Sequence, residues 1–245
     1  MSTNNGTGVT NTLRMHLVMF TVNDEHLDVA ACINNLEIDN RNESTPLALP
    51  YVEVLHNESK SGAKSRLLKG FIGTQNPKQF NIKEVGFHFW GSASGIRDVA
   101  FFINVLIPIG TDLKGDLWEE LDCRWSPLVS AAHPGQLITL QEFPLSQQSV
   151  ISDSSRSLKD ELLFSKKKQL DTNTGYASLL RFLPKTFDAK ELLGVYEAIT
   201  GETKKSYIIL VRALEMRKLV ERVESKSTDE HKTKGRPPIV MRKLV

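Results

Sequence analysis

"LPYVEVLHNESKSGAKSRLLKGFIG", residues Leu49 to Gly73, decides how the rest of the chain is read. It opens on Leu49-Pro50, and Val52 to Leu55 reads as a brief strand. From Ser59 to Lys69 the apolar positions Ala63, Leu67 and Leu68 recur at helical spacing, which predicts a short helix. Glu58 stands just ahead of that helix, Arg66 inside it and Gly73 beyond it. Its polar positions are cationic: Lys60, Lys64, Arg66 and Lys69.

Strand signals surround this stretch. Leu13 to Val22 is rich in apolar and β-branched residues, and Leu27 to Ile33 is placed to pair with it across a short polar turn. Glu84 to Trp90, Val99 to Ile107 and Arg124 to Val129 are also strand-like, with GSASG a loop between the first two. Short strands with one helix imply an α+β unit. The Ser-rich LSQQSVISDSSRS that follows reads as a linker or the start of a connecting helix, with a helical stripe of Leu158, Leu162 and Leu163 running on to about Gln169.

The last part of the chain changes character. Asp188 is a plausible N-cap for AKELLGVYEAIT, whose Leu192, Leu193, Tyr196 and Ile199 share one face and which Gly201 ends. Lys205 to Met216 forms a second amphipathic helix. Two β-type stretches, Leu219 to Val223 and Pro238 to Val245, then enclose a polar segment fit for a long hairpin tip. Helix, turn, helix and basic hairpin is the winged-helix order, in which the second helix enters the major groove. Lys204, Lys205, Arg212, Lys232, Lys234 and Arg236 are the candidate phosphate contacts. A helical oligomerisation module with a solvated basic face is the other reading.

Charge is distributed to match. Residues 201–245 carry 12 basic against 6 acidic side chains, so of the overall +2 this end holds +6 and the preceding 200 residues −4. A basic end on an acidic body suggests a polyanionic partner. The longest apolar run, Val99 to Gly110, is far short of the roughly 20 residues a membrane span needs. Residues 1–12 carry no targeting signal and read as a disordered tail. Two cysteines make neither a disulfide framework nor a metal spacing, and the six histidines show no ligand pattern, so no metal or cofactor is expected and the cytoplasm is the default location.

Two groups of residues carry a family resemblance. FLPKTFDAKELLGVYEAITGE, then a helix, KLVERV and KGRPPIVMR, resembles the C-terminal winged helix of the Nudix-related transcriptional regulators. In the front half, the Nudix hydrolase frame laid without gaps from Leu49-Pro50 puts its first Glu on Glu58, its Arg on Arg66 and its last Gly on Gly73. The next Glu falls on Leu67, the Glu-Glu pair on Gly70-Phe71, and the first Gly on Val52. The downstream pattern, an aromatic stretch and turn, then Arg97 leading into VAFFINVLI and a Trp near Arg124-Trp125, also resembles these regulators.

The resemblance implies a Nudix-like mixed α/β/α sandwich over residues 13–150, a linker helix over 151–174 and a winged-helix DNA-binding domain over 175–245. It implies a homodimer on a pseudo-palindromic operator in double-stranded DNA, controlled by a small-molecule effector, an ADP-ribose-like nucleotide or a sugar. Glu58, Arg66, Trp90 and Arg97 are the candidate effector residues. Arg66 is also expected to brace the loop by pairing with Glu58. Nudix chemistry needs several carboxylates on one helix face to hold divalent metal and activate water. Cations and apolar groups stand there instead, so a catalytically silent sensor is expected. The alternative is an active Mg-dependent hydrolase of nucleoside diphosphate derivatives with a basic accessory domain. The cationic helix face either attracts an anion or is simply solvated.

Overall fold

The computed structural model describes residues 13–24, 26–33, 47–73, 80–91, 97–130, 133–137, 139–167, 173–203, 207–223 and 239–244. Its centre is β1 (Leu13–Asn23), where every residue from Met15 to Val22 is buried. A strand covered on both faces reads as a continuous apolar run. β1 pairs antiparallel with β2 (His26–Ile33) through a turn in which Asp24 takes φ +48°. On its other edge β1 runs parallel to β6 (Arg97–Leu106), which pairs back with β5 (Asn81–Gly91). β7 (Cys123–Ser130) and β8 (His133–Leu137) extend the sheet beyond β2, giving the order β5-β6-β1-β2-β7-β8. β3 (Leu47–Ala48) joins β2, and β4 (Tyr51–Glu53) joins the start of β1.

Period-two alternation divides the sheet's side chains between two cores. Met15, Leu17, Met19, Phe101 and Ile103 pack with α1 (Lys60–Ile72). Val18, Phe20, Val22, Phe102 and Leu106 face the opposite layer. That layer begins with α3 (Leu145–Lys167), preceded by the short α2 (Asp116–Glu120) and a 3₁₀ turn at Leu140–Glu142. The Ser-rich stretch is thus the first half of a long helix. Its Gln147 accepts a hydrogen bond from the buried Leu49 amide at 2.7 Å, fastening the Leu-Pro segment.

The C-terminal unit follows as α4 (Asn173–Arg181), β9 (Thr186–Asp188), α5 (Ala189–Thr200), α6 (Ile208–Met216), β10 (Val220–Arg222) and β11 (Val240–Lys243). β11 lies between β10 and β9, antiparallel to both. Asp188 closes a capping box with Glu191, and Gly201 ends α5 at φ +68°. This is the winged-helix order with a first helix and a first strand added to the sequence expectation. The fold class is the expected one, α+β, with a mixed sheet between two apolar cores and a smaller three-stranded unit after it. One apolar cluster runs from Val29 and Ala31 of the sheet to Leu192, Leu214 and Met241, because α5 packs on β2 and β7. No described helix is long and apolar enough to cross a membrane.

The cysteines correct the sequence reading. Cys32 and Cys123 lie opposite one another on β2 and β7 and form a disulfide. Their pairing depends on sheet register, which a separation of 91 residues hides.

Candidate functional site

The loop before α1 is built around one carboxylate. Ser59 caps the helix, its hydroxyl accepting from the Gly62 amide at 3.1 Å. Glu58 turns back to accept the Leu55 amide at 3.0 Å. Arg66 then donates to both Glu58 oxygens, at 3.1 Å from Nε and 2.7 Å from Nη2. Its Nη2 also donates to the Glu53 carbonyl at 2.6 Å, tying helix, loop and β4 together. The Arg66 hydrogen bonds, reinforced by the Leu55 amide, hold the Glu58 carboxyl down to about 2. Arg66 therefore braces the loop as expected, through its Nε and Nη2 donors.

The positions that the hydrolase frame would fill with acids are closed. Leu67 and Phe71, one turn apart, are both 0 % exposed and belong to the core between α1 and the sheet. Gly70 is covered by α2: a Cβ there would meet the Leu117 Cδ1 at 2.5 Å. A longer side chain fits at that point only if Leu117 moves away. Among the described residues no group of three His, Cys, Asp or Glu side chains is placed to hold a metal ion.

The cationic face is largely committed. Lys60 and Lys64 both reach Glu84 on β5, at 2.7 and 3.2 Å. Lys60 also lies 4.0 Å from the centre of the Phe101 ring. Glu84 is held below the usual carboxylate range by these two lysines, Lys60 first. With Arg66 on Glu58, Lys69 is left exposed in the last turn, where a cation complements the helix dipole. An attracted anion is not needed to explain these charges.

A second cluster, at the start of β1, escaped the sequence reading. His16 is 4 % exposed, stacked on Phe102 at 5.0 Å and tilted against Tyr51 at 5.2 Å. The Arg14 guanidinium sits 5.3 Å from the centre of the Tyr51 ring. Burial, aided by the Arg14 charge, pushes the His16 pKa down to about 3, so the ring is neutral. Its Nδ1 is buried without a hydrogen-bond partner, and so is Arg14 Nε, whose nearest carboxylate oxygen, on Glu53, is 3.9 Å away. Buried polar atoms are rarely left unpaired. One such acceptor and one such donor stand on neighbouring same-face positions beside two aromatic rings, both atoms sealed from solvent. The sequence signal was slight: two polar residues at alternate positions of a strand that otherwise reads as core.

Trp90 and Arg97 belong to the same end of the sheet. β5 and β6 pair Trp90 with Asp98 and Gly91 with Arg97, and residues 97–100 of β6 lead alongside Leu13 and Arg14. The side chains of Trp90 and Arg97 lie outside the described residues. On the sheet's other flank, a cleft of about 260 Å³ separates the β5–β6 pair from α3 and α4. There Glu161 of α3 pairs with Lys83 at 3.3 Å and accepts the Ser178 hydroxyl of α4 at 2.9 Å, a polar link from the sheet to the winged helix.

Of the candidate DNA contacts, Arg212 is exposed on α6. Lys204, Lys205, Lys232, Lys234 and Arg236 lie outside the described residues. Glu215 on the same helix is drawn to Arg222 of β10 at 2.6 Å.

No family model and no curated protein matches the sequence. Solved structures do match the fold. NrtR of Shewanella oneidensis in complex with a 27mer DNA superposes with a TM-score of 0.61 at 18 % identity, over 94 % of this chain and 93 % of that one. The same protein without the DNA gives 0.59 at 17 % identity, over 95 % and 94 %. A MutT/nudix family protein from Enterococcus faecalis gives 0.60 at 16 % identity, over 96 % and 86 %. The likeness covers both units of the chain and is one of fold.

Proposed function

We propose that the chain is a DNA-binding transcriptional regulator whose Nudix-like unit senses a small molecule and does not hydrolyse it. One observation carries this reading: a full winged-helix order follows a loop-and-helix whose frame survives while its acid positions are core. Glu58 and Arg66 keep the loop's shape, yet Leu67 and Phe71 contribute packing where metal ligation would need carboxylates. The NrtR structure of like fold holds DNA, which supports the same role for this C-terminal unit.

The effector site takes in the sheet end marked by Arg14, His16 and Tyr51, with Trp90 and Arg97 at its rim and Glu58 and Arg66 supporting it. The part-exposed Arg14 and Tyr51 side chains are the groups that an incoming nucleotide or sugar meets there. The protein acts in the cytoplasm as a homodimer on a pseudo-palindromic site, since two-fold proteins meet two-fold operators. Effector and DNA then alter each other's affinity by the same factor.

The test is a selection from random duplexes at moderate salt, paired with thermal-shift measurements against ADP-ribose, nucleotides and sugars. A preferred duplex is expected, together with one ligand class that raises the melting temperature. Failure to enrich any duplex sinks the regulator. Magnesium-dependent turnover of a nucleoside diphosphate derivative, abolished by Glu58→Gln, would restore the hydrolase in its place.

A further inference from the structure

α6 buries Leu210, Val211, Ala213 and Leu214 and turns a different set outward. Ile209 is 69 % exposed, Met216 76 % and Ile208 42 %, with Arg212 exposed among them. Ile209, Arg212 and Met216 stand at i, i+3 and i+7, so they form one stripe along the helix. From Ile209 to Met216 the stripe covers roughly 10 Å, about three base-pair steps. Two large apolar side chains flanking one arginine is an unusual outer face for a helix in contact with water alone.

Charge and chemistry name the occupant. Lys204 and Lys205 precede the helix, and Arg217 and Lys218 follow it. Glu215, the acid on α6, is turned to Arg222 of β10 with bonds of 2.6 and 3.2 Å. Such surroundings suit a polyanion better than an apolar protein surface. Among the bases, thymine alone offers the major groove an apolar group, its C5-methyl. Resting on the reading that this unit binds duplex DNA, we propose that Ile209 and Met216 recognise thymine through its methyl group, with Arg212 between them. Half-sites are then thymine-bearing at two positions about three steps apart. Specificity comes from apolar contact in place of the arginine-rich readout common on such helices.

The experiment uses the full chain and the duplex it enriches from a random pool. Each thymine is replaced in turn by deoxyuridine, which removes only the methyl group. Binding is expected to fall about fourfold at each of two positions per half-site. Ile209→Ser and Met216→Ser should each abolish the thymine-over-uracil preference at one of them. Since both residues are exposed, circular dichroism should show the fold intact. If no duplex is enriched, the regulator reading and this inference fall together. If a duplex is enriched but uracil binds as well as thymine throughout, this inference alone falls. It also falls if Ile209→Ser leaves base preference untouched and instead splits a dimer, for the stripe would then be a subunit contact.

Discussion

Arg66 holds both oxygens of Glu58 from eight residues along the chain, with 2.7 Å the shorter contact. A carboxylate held down to about 2 is ionised in the folded protein well below the 4.5 at which it ordinarily titrates. Its folded pKa is the lower one, so its contribution is whole above pH 4.5 and is lost as pH falls toward 2. The melting temperature of the native chain should therefore exceed that of Glu58→Gln at pH 6, with the gap closing between pH 4.5 and 2. A gap that stays constant across that range would deny the brace its electrostatic part.

Leu67 and Phe71 offer a sharper contrast between scaffold and enzyme. Leu67→Glu or Phe71→Glu restores the acid of the hydrolase frame but places a carboxylate in a core position that is 0 % exposed. Unpaired buried charge is among the few single changes that cost more than about 3 kcal/mol. Urea unfolding should show a loss of that order, and magnesium should recover neither stability nor turnover. Wild-type stability together with metal-dependent hydrolysis would mean the helix turns a different face to the sheet.

Much of this was legible from local pattern. The apolar run of β1, the Asp188 cap, the Gly201 stop and the spacing of Glu58, Arg66 and Gly73 all reside within a few residues of one another. What escaped detection depends on distant partners. β9 is three residues long and exists because β11 pairs with it from Val240 to Arg242. The lysines of α1 read as a free cationic face until β5 brings Glu84 across to Lys60 and Lys64. His16 looked like an ordinary interruption of a strand, and only the neighbouring Tyr51 and Phe102 rings show how fully it is enclosed.

The Cys32–Cys123 bond belongs with these distant pairings, and it has a measurable consequence. It closes a loop of 91 residues between β2 and β7, the strands on which α5 rests. A bond of this kind typically contributes about 2–4 kcal/mol, mostly by restricting the unfolded chain. Reduction with dithiothreitol, or Cys32→Ser, should lower the melting temperature by roughly 5–15 °C in a chain of this size. No change on reduction would mean the two thiols remain unpaired in solution.

His16 gives the opposite charge type and the same direction of pH dependence. Burial holds its pKa at about 3 against an ordinary 6.5, so the folded protein keeps the ring neutral while the unfolded chain takes up a proton. Stability from this residue is complete above pH 6.5 and declines as pH falls toward 3. Between pH 6 and 4 the decline should be on the order of 1 kcal/mol per pH unit. Comparing urea unfolding of the native chain with His16→Leu across that range isolates it, since the leucine variant lacks this slope. An equal slope in the two proteins would mean that the His16 ring titrates in the folded chain as it does in the unfolded one.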